Sequence, residues 1–128
     1  MRITSIDHLV LTVRDVDASI AFYTRVLGMR AETFGSDRRA LHFGDQKINL
    51  HLATQIPDPN VRHPTPGSAD LCFLTDVPLD EVVEHLQEQH VRVVTGPVIR
   101  TGANGPIRSV YVYDPDENLI EIANHVVI

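Results

Sequence analysis

The chain has no tryptophan, a single cysteine, and only four phenylalanines and three tyrosines. With Cys72 alone it cannot form an internal disulfide, so the fold is expected to rest on its core and to suit a reducing, cytoplasmic setting. The scarcity of large aromatics leaves little with which to stack a big planar ligand. Basic residues are also short: eleven Lys and Arg against seventeen Asp and Glu give a net charge of −6. The few cations are scattered, so no basic stripe is expected to hold nucleic acid or an anionic membrane. No apolar run approaches the roughly 20 residues a membrane span requires. Met1-Arg2-Ile3-Thr4 leads straight toward a strand, without the apolar core of a signal peptide.

What remains is an ordinary globular composition, 43% hydrophobic and 22% charged over 128 residues. That length supports one well-buried domain, residues 1–128, whereas halves of about 60 residues would each be marginal alone. Two halves are nonetheless visible. Ser5-Ile6-Asp7-His8-Leu9-Val10-Leu11-Thr12-Val13 reads as a strand, and Ser68-Ala69-Asp70-Leu71-Cys72-Phe73-Leu74-Thr75 reads as a second copy of it. Side chains alternate with period two, so His8 shares a face with Ile6, Val10 and Thr12, and Asp70 falls at the position of His8.

The first half is predicted as β-α-β-β-β. Asp15 and Asp17 offer N-cap oxygens for a helix reaching about Leu27, where Gly28 suits a left-handed cap. Strands follow at 29–34, 39–43 and 47–52, so this repeat covers about residues 4–53. Residues 54–67 carry Pro57, Pro59, Pro64 and Pro66 and read as a stiffened linker. The second repeat, 68–126, starts a helix around Asp76 to Asp80 that ends near His90. Arg92 to Val94 is predicted as a strand, Thr95-Gly96-Pro97 as a turn, Val98 to Arg100 as an extended piece, and Thr101 to Pro106 as a glycine-rich loop. Strands at 107–113 and 119–124 close the repeat around the tight turn at 114–118.

Three strand side chains are candidates for chemistry: His8 and Glu121, each on a mostly apolar face, and His51, on a face shared with Lys47 and Asn49. Two imidazoles and a carboxylate can hold a divalent metal and leave positions open for water, substrate or dioxygen. Their spacing carries no local signature, and each also has a plain structural reading, a satisfied histidine or a carboxylate on an exposed face. Arg100 and Arg108 flank the glycine-rich loop and could meet an anionic group, although such arginines are commonly solvated.

Taken together, Ile6-Asp7-His8-Leu9, the helix ending Ala21-Phe22-Tyr23-Thr24-Arg25-Val26-Leu27-Gly28-Met29, and Tyr113-Asp114-Pro115-Asp116-Glu117-Asn118-Leu119-Ile120-Glu121 resemble the vicinal oxygen chelate superfamily. That group includes glyoxalase I, bleomycin- and fosfomycin-resistance proteins and extradiol dioxygenases. Gln46 to His51 with His63 to Phe73 looks similar to its glyoxalase domain-containing protein 5 subgroup. The resemblance implies an α+β fold in which two βαβββ repeats form a cupped eight-stranded mixed sheet with helices outside. It implies a divalent metal (Zn, Ni, Mn or Fe) held by His8, His51 and Glu121, with Asn49 the alternative to His51. Glu121 and Asp70 would be the catalytic acid/base groups. The implied activity is a glyoxalase-like conversion of a small oxygen-chelating substrate through a metal-stabilised enediolate, with a dioxygenase or a metal-free drug-sequestering protein as alternatives. A homodimer is the implied assembly. The family usually has glycine where this chain has Glu117, so a positive φ there would cost about 1 kcal/mol.

Overall fold

A computed structural model of the protein describes residues 1–127. The chain divides into two compact units, Met1–Gly67 and Ser68–Ile128. The first contains β1 (His8–Val13), α1 (Val16–Arg25), β2 (Arg30–Phe34), β3 (Arg38–Phe43) and β4 (Gln46–Leu52). The second contains β5 (Asp70–Leu74), α2 (Leu79–Glu88), β6 (Thr95–Gly102), β7 (Gly105–Tyr113) and β8 (Leu119–His125). Each unit is therefore a βαβββ module, and the chain is α+β.

Each unit builds one four-stranded mixed sheet, β1-β4-β3-β2 in the first and β5-β8-β7-β6 in the second. The outer pair of each sheet, β1 with β4 and β5 with β8, is parallel, and the other neighbours are antiparallel. Parallel neighbours need a crossover, and the helix with the two intervening strands supplies it.

Alternation decides what each face does. In the first unit Leu11, Val13, Leu41, Ile48 and Leu50 are buried, together with Tyr23 of α1. In the second, Val110, Val112, Ile120 and Ile122 are buried with Leu79, Val82 and Leu86 of α2. Each such side chain contributes about 1.5–3 kcal/mol by leaving water. Val10, on the same face as His8, is 39% exposed, and Leu74, on the face of Asp70, is 56% exposed. The face carrying the polar residues is thus the helix-free one in each sheet, and the packed core lies behind it.

Local signals explain the helix ends. The Asp15 side chain accepts from the Ala18 N–H at 3.0 Å and caps α1. The helix stops at Arg25, two residues short of the sequence expectation, and Gly28 follows with φ of 70°. The N–H groups of Gly28 and Met29 donate to the Thr24 and Tyr23 carbonyls, so the left-handed cap forms as expected. α2 has no side-chain cap of its own; instead Asn124, from β8, accepts from the Leu79 N–H at 2.8 Å.

The stretch before β7 departs from its sequence reading. Arg92 to Val94 is not a strand, and the Gly96-Pro97 pair lies inside β6. The pairing shifts register between Thr95 and Val98, so these residues form an irregularity in the strand. A Cβ at Gly96 would collide with the Ser109 carbonyl oxygen, and its φ is 107°, so only glycine fits. The glycine-rich loop is likewise shorter than expected, since β6 runs to Gly102 and β7 starts at Gly105.

Candidate functional site

On the helix-free face of the second unit, β8 lies between β5 and β7. Glu121 stands opposite Cys72 on one side and Tyr111 on the other. Asp70, also on this face, opens β5 two residues before Cys72 and is exposed. A cavity of about 410 Å³ sits here, lined by Glu121, Cys72, Tyr111, Arg100 and His125, with Thr101 to Asn104 of the β6–β7 hairpin at its edge.

Within the cavity the Glu121 Oε2 atom is buried without a hydrogen-bond partner. The neighbouring thiol is affected in turn. Partial burial, the charge of Glu121 with a hydrogen bond to it, and the charge of Asp70 push Cys72 up to about 11, although the residue is exposed. It therefore stays a protonated thiol at neutral pH, a donor and not a nucleophile. Across the sheet, Arg100 donates from Nε to the Tyr111 hydroxyl at 3.0 Å, with its guanidinium carbon 5.5 Å from the ring centroid.

The first unit holds His8 and His51. Asp7 accepts from His8 Nδ1 at 2.8 Å, and this bond holds the Asp7 carboxyl below its usual range. An ionised carboxylate only accepts, so Nδ1 carries the proton and Nε2 keeps a free lone pair. This is how a carboxylate commonly orients a metal-binding histidine.

His51 differs. Val61 N–H donates to Asn60 Oδ1 at 2.7 Å, which turns the amide nitrogen of Asn60 toward His51 Nδ1 at 3.3 Å. Since that nitrogen donates, Nδ1 accepts, and the imidazole proton sits on Nε2, a buried atom with no acceptor. The carboxylate partner that orients His8 is thus replaced at His51 by an amide donor. The register separates the two as well. His8 pairs with Lys47 and Thr12 with His51, so the two histidines share a face but lie four residues apart along the strands, about 13 Å.

The same ladders relate the units. Val10 pairs with Asn49 as Cys72 pairs with Glu121, while Thr12–His51 corresponds to Leu74–Ala123. Asn49, not His51, occupies the place equivalent to Glu121, and its Oδ1 is buried and unpartnered. His51 instead lines a separate groove of the first unit together with Arg14, Arg38 and Arg39. Among the described residues, no three His, Cys, Asp or Glu side chains are gathered as a metal site. Among these residues, Nε2 of His8 and Oε2 of Glu121 lack a hydrogen-bond partner that would occupy them, whereas Nδ1 of His51 is engaged by Asn60. Asn60, in the proline-rich stretch, had no sequence signal pointing to it. The opposition of Cys72 and Glu121 follows only from strand register.

A βαβββ module used twice, with a carboxylate held over an open sheet face, defines the class of protein. Residues 5–122 match the Glyoxalase/Bleomycin resistance protein/Dioxygenase superfamily, and the chain belongs to it. It is similar to virulence protein STM3117 of Salmonella typhimurium, at 53% identity over 98% of this chain and 88% of that protein. The crystal structure of STM3117 superimposes with a TM-score of 0.97, covering 98% of this chain and 100% of that one. A lactoylglutathione lyase from Agrobacterium tumefaciens is 25% identical with a TM-score of 0.73, over 96% of this chain and 95% of that one. TnmS3, an antibiotic binding protein from Streptomyces sp. CB03234, is 26% identical with a TM-score of 0.74, over 98% of this chain and 99% of that one. Among the described residues, no helix is long and apolar enough to cross a membrane.

Proposed function

We propose that the protein is a metal-dependent, glyoxalase-like enzyme acting on a small substrate with two neighbouring oxygens. The observation that carries this reading is the Glu121 Oε2 atom, buried in a cavity without a donor. An unpaired buried carboxylate oxygen is costly, typically by 1–3 kcal/mol or more, and a cation or a transferable proton would remove that cost. His8 through Nε2 and Glu121 through Oε2 are the ligands assigned here. Asp70 lies near Glu121 on the same face, and Asn49 replaces His51 as the position to examine. When bound, a divalent ion of the Zn, Ni, Mn or Fe type supplies Lewis-acid charge to a substrate oxygen.

The chain's own groups do the rest. Glu121 takes a proton from the carbon beside the substrate carbonyl and returns it to the neighbouring carbon. The Cys72 thiol, opposite Glu121 in the β5–β8 ladder, stays protonated and is a donor beside the carboxylate. The β6–β7 hairpin contributes Thr101 to Asn104 to the cavity lining. The reading includes the nearer likeness to the glyoxalase domain-containing protein 5 subgroup, a cytoplasmic setting and a homodimer.

Elemental analysis of protein purified without chelator tests the proposal, alongside His8→Ala and Glu121→Gln. Bound metal in the wild type and its loss in both variants support it. Metal absent even after soaking in divalent ions sinks the ligand assignment, and a sequestering protein becomes the better reading. Iron with dioxygen uptake turns it toward ring cleavage.

A further inference from the structure

We infer that Arg100 and Tyr111 form an anion-recognising subsite beside Glu121, and that the substrate is a small organic acid: a carboxylate with an oxygen on the adjacent carbon. Three observations converge on it. The first is the state of the Tyr111 hydroxyl. It accepts from Arg100 Nε at 3.0 Å, so its own proton is directed away from the guanidinium and is available to a ligand. The second is the arginine. Its Nη1 donates to the Ile99 carbonyl at 3.3 Å, and the guanidinium lies 5.5 Å from the tyrosine ring centroid. Two hydrogen bonds and the ring favour this orientation of the exposed fork, in which Nη2 is left for a carboxylate.

The third is position. Tyr111 faces Glu121 directly across the β7–β8 ladder, which sets their Cβ atoms about 5 Å apart. A ligand held by Arg100 and the Tyr111 hydroxyl therefore occupies the same cavity as Glu121. The cavity, about 410 Å³, lies toward the small end of ligand pockets. It is also polar in a directed way, with Arg100 and Tyr111 donating at one end and the Glu121 carboxylate at the other. An anion sits at the first end, and the group that exchanges a proton lies at the second.

This assignment rests on Glu121 as the reactive group, but it is tested by binding alone, so it can fail separately from the metal reading. The probes are glycolate, its neutral counterpart ethylene glycol, and inorganic phosphate, titrated into EDTA-treated protein and followed by amide NMR shifts of the β6–β7 hairpin. Glycolate is expected to bind saturably, with affinity reduced at least tenfold in Arg100→Gln, less in Arg100→Lys, and severalfold in Tyr111→Phe. Glu121→Gln is expected to bind glycolate as well as or better than the wild type, because a like charge is removed; this holds even if Glu121 proves to be no metal ligand. Each variant is checked for an unchanged circular dichroism spectrum. Equal binding of ethylene glycol, unchanged affinity in a folded Arg100→Gln, or no saturable glycolate binding would each overturn the subsite. Phosphate binding more tightly than glycolate would overturn the choice of a carboxylate.

Discussion

Glu117 occupies the tight turn between β7 and β8 with φ of 66°, the left-handed region that favours glycine. The turn around it is fixed by other groups. Asp114 Oδ1 accepts from the N–H groups of Asp116 and Asn118 at 2.9 Å each, and Asp114 Oδ2 accepts from Asn118 Nδ2 at 2.8 Å. Glu117 N–H donates to the Asp114 carbonyl at 3.0 Å, a bond any residue can make. Its side chain is exposed, so substitution removes no packing. An L-residue in this conformation costs about 1–2 kcal/mol. Glycine loses about 0.4–1 kcal/mol of that gain through the greater freedom of the unfolded chain. Glu117→Gly is therefore expected to stabilise the protein by about 0.5–1 kcal/mol, or roughly 2–5 °C in Tm. Urea unfolding should show a higher midpoint with unchanged slope. Glu117→Ala and Glu117→Gln serve as controls, since they remove the charge but keep the backbone strain. If Glu117→Gly melts no higher than Glu117→Ala, the strain is not stored at this residue and the reasoning fails.

Asn124 ties β8 to the start of α2: its Oδ1 accepts from Leu79 N–H, and its Nδ2 donates to the Thr75 and Val77 carbonyls at 2.9 Å each. Asn124→Ala should cost about 2 kcal/mol by urea unfolding, and Asn124→Asp no less, because it keeps the capping oxygen but turns a carboxylate oxygen toward the Thr75 and Val77 carbonyls. Burial and the nearby Arg38 charge hold the His51 imidazole below its usual value. A lowered histidine pKa means that the folded state binds fewer protons than the unfolded one just below about pH 6.5. Its contribution is therefore complete above that pH and declines as pH falls through the window beneath it. His51→Gln should show a flatter loss of stability between about pH 7 and pH 5; an identical slope in both proteins would remove His51 as the source.

Much of the molecule could be read locally. Period-two alternation placed His8 with Val10 and Thr12, and Glu121 with Leu119 and Ala123, because the pleat is a property of the strand alone. Asp15 as a cap and Gly28 as a terminator are likewise short-range effects of backbone geometry. The repeated βαβββ order and the motif at Asp114 to Glu121 were sufficient to indicate the superfamily. Other features depended on distant groups. Alternation separates two faces but does not say which one a helix covers, and packing of α1 and α2 put the apolar set behind the polar one. The Gly96-Pro97 pair reads as a turn until Ser109, on the neighbouring strand, leaves room only for glycine inside β6. Register made Asn49 the counterpart of Glu121 and set Cys72 and Tyr111 on either side of it. The tautomer of His51 was decided by the Asn60 amide, itself oriented by Val61. A chain specifies by itself the conformations that each residue and its near neighbours prefer; which polar atoms meet, and which are left buried without a partner, is decided only when separate strands and loops are brought together.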